Sequence, residues 1–221
     1  MAQSRFPAIA LCLLLAMPAA WAAEDISKVN GSIEVAAGTV YGELDTVNGS
    51  ISIGDGAQTG DASTVNGSIK VGANARVGSL DTVNGAIRVG RNVQASGGIE
   101  TVNGSVFVDR GSTVAGDIET VNGAIGLVET QLRGDIETVN GDVTVGIGSM
   151  VSGSLSIKRS SGWFQSAPKR KPRVVIGPRA VVQGPLKFER EVRLYVHRSA
   201  RTGPVTGADP VVFDTDTAPE D

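Results

Sequence analysis

The chain of 221 residues has one histidine, His197, between Val196 and Arg198. Acyl transfer on a coiled β-scaffold, or hydrolysis, would need such a base beside a nucleophile. No nucleophile stands in a recognisable strand-to-helix elbow. His197 therefore reads as a surface or capping residue. Asp45, Asp81, Glu100, Glu119 and Glu137 each stand directly before a threonine, and Ser63 interrupts their row. A calcium site would need an Asp-rich loop of ligand spacing beside them, and the sequence has none. Carboxylates of the pectin-cleaving kind would cluster with basic partners, whereas this row is regular. It reads as a charged, solvated edge. A third group, Trp163, Phe164, Lys169, Arg170, Lys171 and Arg173, combines aromatic and basic side chains in what reads as a loop. Such a loop suits self-association or an anionic surface or polymer. The same residue types suit single-stranded nucleic acid, a partner that an exported chain does not meet. We expect no catalytic, cofactor-binding or metal-binding residues, and an interaction loop made of those six.

The element that must position these residues is a repeat. Thr-Val-Asn-Gly recurs at 46–49, 64–67, 82–85, 101–104, 120–123 and 138–141, after a degenerate copy at 28–31. Its asparagines, Asn30, Asn48, Asn66, Asn84, Asn103, Asn122 and Asn140, lie 18 or 19 residues apart, a period that signals a solenoid. Short alternations such as Ile51-x-Ile53 and Ile69-x-Val71 have the period of strands with one buried face. No 3.6-residue pattern is sustained, and 29 glycines punctuate the chain. The fold class predicted is all-β, a single-stranded β-helix or β-solenoid. It has about 18 residues and three short strands per coil, and about eight to ten coils. One coil buries too few aliphatics to offset the entropy of ordering it, so coils must stack. Valines every six residues, at 65, 71, 77 and 83, place Val47, Ile51 and Val83 inward. Asn48-Gly49 either turns a left-handed corner or lies where only glycine leaves room. Identical asparagines one coil apart would hydrogen-bond as a structural ladder, with the threonines as a second ladder beside it. An outward Thr-x-Asn face would instead bind a regular ligand such as ice or a polysaccharide.

Boundaries follow from composition. Arg5, the apolar run from Ala8 to Met17 and Ala20-Trp21-Ala22 predict a secretory signal peptide over residues 1–22. The apolar run is too short for a membrane anchor. Cys12, the only cysteine, falls within that segment, so no disulfide is expected in the exported protein. The β-helix is expected over 23–205, with a loop insertion at 159–173 and an acidic flexible tail at 206–221. Residues 23–157 hold 7 Lys/Arg against 16 Asp/Glu, and residues 158–201 hold 12 against 2. An acidic rod with a basic end is suited to anionic partners or to its own copies. No later apolar run is long enough to span a bilayer, so an integral membrane protein is not expected.

The coil sequence Val-Ile-Gly-Pro-Arg-Ala-Val-Val-Gln-Gly-Pro-Leu at 175–186 resembles the polymer-forming bactofilin family, and the Val-Asn-Gly-Ser-Ile units resemble bacterial adhesin-type β-strand repeats. The bactofilin resemblance implies a right-handed β-helix that assembles end to end without nucleotide or other cofactor, and it brings no catalytic residues. Bactofilins are cytoplasmic, and this chain departs from them by its predicted signal peptide. The function expected is a non-catalytic structural or adhesive β-solenoid of the bacterial envelope, periplasmic, surface-bound or secreted. The alternative is a hexapeptide-type or polysaccharide-acting β-helix enzyme, since Val71-Gly-Ala-Asn-Ala-Arg matches the hexapeptide unit.

Overall fold

A computed structural model describes residues 23–159 and 170–220. The predicted signal peptide, Trp163, Phe164 and Lys169 lie outside the described residues.

One coil shows how the sequence sets the path. Leu80–Asn84 is a five-residue strand, Ile87–Val89 a three-residue strand and Gln94–Ala95 a two-residue strand. Each strand pairs in parallel with its counterparts in neighbouring coils, as Leu80 does with Ala62 and Ile99. Stacking gives three parallel sheets of ten, seven and ten strands, a β-solenoid of about nine turns. No helix is present among the described residues. The coils stay in register because a slip of one residue would turn every inward side chain to solvent.

The core runs the length of the rod. In the long-strand sheet Leu44, Leu80, Ile99, Ile118 and Ile136 are fully buried. The second long sheet buries two aliphatics per strand, as at Ile51/Ile53 and Ile87/Val89, and the short sheet buries one, as at Val114 and Leu132. Full burial of one such side chain contributes roughly 2 kcal/mol.

The strand parity corrects part of the sequence reading. From inward Leu80, alternation sends Asp81 out, Thr82 in and Val83 out. The expected inward placement of Val47 and Val83 is therefore wrong: they are 40% and 39% exposed. Ile51 does point inward, at 0%. The six-residue valine spacing mixes two environments, with Val71 and Val77 buried and Val65 and Val83 exposed. The inward threonines do not ladder with one another. Thr64, Thr82, Thr101 and Thr120 each donate to the carbonyl of a motif glycine in the preceding coil, at 2.8–3.1 Å. A Thr-x-Asn ligand face is thereby ruled out, since its threonines lie inside.

The motif glycine is required by close approach. A Cβ at Gly67 would overlap the carbonyl oxygen of Gly49, and the same clash recurs at Gly85, Gly104 and Gly123. The left-handed corner lies elsewhere in the coil, at Gly38, Gly56, Asn74, Asn92, Gly111, Glu129, Gly148 and Arg179, with φ between 43° and 75°. Glycine and asparagine tolerate that region best.

Val143 pairs with Val174 and Leu155 with Leu186, so the extra chain is inserted between Ile157 and Arg173. At the far end the stack passes the expected boundary at 205. Val205–Thr206 and Pro210–Phe213 pair as strands, and Phe213 is buried against His197 with ring centroids 5.1 Å apart. Residues 206–213 are part of the stack, because a further apolar strand can cover the preceding coil.

Candidate functional site: an acidic and apolar groove

Outward positions of the long-strand sheet form two rows along the rod. Register aligns Asp81, Glu100, Glu119 and Glu137 on successive coils, about 4.8 Å apart. Two residues along each strand, Val65, Val83, Val102, Val121 and Val139 make a second row. Between them lies a groove of about 460 Å³ that spans five coils, from Ser63–Val65 to Glu137–Val139. Ser63 ends the acidic row on one side and donates to Asp45 at 2.6 Å.

Burial and, after it, like charges at this spacing resist ionisation. Burial, followed by the charges of Glu100 and Asp61, pushes the Asp81 carboxyl up to about 6. Glu119 is also raised, by burial first and then by Glu100, Glu137, Asp117 and Asp135. Among the described residues no group of three or more His, Cys, Asp or Glu side chains is arranged as metal ligands.

The end of the groove is occupied by a cation of the chain itself. Lys158 follows Ile157 as Val139 follows Thr138, so it takes the next place in the valine row. Its Nζ lies 3.4 Å from Glu137 and 4.0 Å from Glu189.

Beside the groove runs the asparagine ladder. From Asn48 to Asn140, each Nδ2 donates to Oδ1 of the asparagine one coil earlier, at 3.0 Å in all six links. All amides point the same way, and hydrogen bonds in such a chain polarise one another. The last carbonyl, Asn140 Oδ1, accepts from Arg190 Nη1 at 2.7 Å, and the same guanidinium also donates to Val139 O. A cation thus caps the negative end of the aligned dipoles.

The described members of the expected interaction loop contact other residues of the chain, while Arg170 and Lys171 stay exposed. Arg170 pairs with Asp142, and Lys171 with Glu191 at 2.8 Å. Arg173 lies over the Tyr195 ring at 5.1 Å and donates to Ala218 O and Pro219 O. His197 Nδ1 is 2.8 Å from Ser199 Oγ and accepts from Ser199 N, while that same Oγ accepts from Arg179 N. This is a corner-holding arrangement two residues long.

Besides Lys158, two site features escaped the sequence reading. The exposed valine row was legible in principle, because parity counted from Leu80 or Ile99 puts the motif valine outside. Arg190 gave no local signal, since it lies 50 residues from Asn140.

The fold and the groove together define a parallel β-solenoid with one repeated outward face. In comparisons with protein-family models, curated proteins and solved structures, nothing matches this chain. No helix among the described residues is long and apolar enough to cross a membrane.

Proposed function

We propose that the protein is a non-catalytic, exported structural or adhesive rod of the bacterial envelope. It acts through repeated surface contacts along its length. The observation that supports this reading is the repetition of the same outward rows, acid, valine and asparagine, in register over successive coils. A repeated face offers many weak contacts at once, and linked contacts gain avidity without any new chemistry. Export rests on Arg5, the apolar run to Met17 and Ala20-Trp21-Ala22. The basic segment supplies a separate contact region for an anionic envelope polymer, with Arg179, Lys187 and Arg201 exposed.

End-to-end assembly of the bactofilin kind is the second reading, and one observation favours it. Val211 and Val212 on the last strand are 53% and 67% exposed, and Val212 continues an inward row through Val196 and Ile176. Open strand edges are templates for further pairing. Electron microscopy and sedimentation of the purified protein test both readings. Isolated rods that bind envelope polymer support surface contact, and filaments support end-to-end assembly. A compact enzyme-like monomer that turns over a polysaccharide, and loses activity in His197→Ala, would overturn both.

A further inference from the structure

We propose that the acidic and apolar groove receives a cationic amphipathic α-helix of a partner protein, laid along the rod axis. The proposal deepens the surface-contact reading by assigning a partner to this face. Two properties of the groove select the chemistry. Its carboxylate row, Asp81, Glu100, Glu119 and Glu137, calls for cations at regular spacing, and its valine row calls for apolar side chains on the adjoining flank. Lys158 already makes the contact in miniature. It stands in line with the valines and delivers its ammonium to Glu137 one coil back.

Spacing selects the conformation. Coils repeat about every 4.8 Å. An extended strand along the axis presents same-face side chains about every 6.8 Å. Over three intervals it drifts roughly 6 Å out of step with the carboxylates. An α-helix repeats about every 5.4 Å and drifts about 2 Å over the same length, which lysine side chains absorb. Both rows lie on one sheet face about 7 Å apart, within the 10–12 Å breadth of a helix. Relief of repulsion adds to the attraction, since burial and neighbouring carboxylates already hold Asp81 and Glu119 above their usual range.

The test uses a fluorescein-labelled 18-residue peptide of leucine and lysine in helical repeat, titrated against the purified protein by anisotropy. A scrambled peptide of equal composition and an oligolysine of equal charge serve as controls. The expected result is saturable binding with a gain of peptide helicity by circular dichroism. Both controls should bind at least tenfold more weakly. Glu100→Gln/Glu119→Gln and Val102→Ser/Val121→Ser should each weaken binding at least tenfold, while their own melting curves show that they fold. Equal binding of oligolysine, or no effect of either double variant, overturns the proposal. So does a protein dimer dissolved by the same substitutions, which would give the groove to a second copy. Any of these outcomes leaves the rod reading open to its own test by microscopy.

Discussion

Replacing Thr82 by alanine removes a hydroxyl that donates to Gly67 O at 2.9 Å inside the stack. The stranded carbonyl and lost bond should cost about 1–2 kcal/mol, read as a lower midpoint in urea. Val83→Thr, one residue on, changes an exposed side chain and should stay within about 0.5 kcal/mol. Equal losses at the two positions would contradict the parity of the strand. Asp81 carries a pH signature of its own. Its folded carboxyl is pushed up to about 6, above the ordinary 3.8, so between those pH values the folded state binds more protons than the unfolded one. Stability from this group is fully present below the unfolded value and is lost as pH rises through about 6. Asp81→Asn should therefore raise the melting temperature at pH 7.5 and bring little change at pH 4. A variant that melts below the parent at pH 7.5 would reject this account of burial and repulsion.

At the scale of the coil, ladders and corners set the balance. Asn84→Ala breaks two amide bonds, to Asn66 and from Asn103, whereas Asn30→Ala breaks one at the end of the row. The interior loss should be roughly twice the terminal one, on the order of 1 kcal/mol in total for these exposed bonds. Matching losses in thermal melts would argue against a connected chain of amides. Glu129 occupies the left-handed corner with φ 43°, where most other coils have glycine or asparagine. An L-residue in that region costs roughly 1–2 kcal/mol, and glycine carries an entropy cost of about 0.5–1 kcal/mol. Glu129→Gly should thus stabilise the protein by up to about 1.5 kcal/mol.

Over the whole molecule, charge is divided between an acidic body and a basic end, and the described bases of the loop make internal contacts while Arg170 and Lys171 stay exposed. Neutralising Lys169, Arg170, Lys171 and Arg173 together looks harmless from sequence, because a loop outside the stack adds little to the core. The exposed pairs to Asp142 and Glu191 add little, but the hold of Arg173 on Tyr195 and the chain near Pro219 changes that expectation. The quadruple variant should melt below the parent and release its C-terminal residues to protease. Association answers to salt. Contacts through exposed charges weaken as the Debye length falls from about 10 Å at 0.1 M to about 3 Å at 1 M. Stacking of Val211 and Val212 against another coil end should persist or strengthen. Sedimentation at both concentrations separates the two.

Sequence alone determined the solenoid, its period and its three strands per coil, because an 18-residue repeat leaves one way to bury its aliphatics. It determined the asparagine ladder for the same reason: identical residues one period apart must stack. The valine spacing by itself misplaced the motif residue that points inward. Hydrophobicity favoured Val83, but the strand has only two faces, and Leu80 claims the inner one. Thr82 shares that face and finds an acceptor there in Gly67 O, which a neighbouring coil must supply. The acidic row was legible, and the groove was not, since a groove exists only once Val83 and its counterparts are turned outward beside the carboxylates. Nor could sequence foresee that Arg190 caps the ladder, that Lys158 enters the valine row, or that residues 210–213 add a last strand to the stack. Each of these depends on contacts between distant segments, which the register of the coils brings together and linear spacing does not.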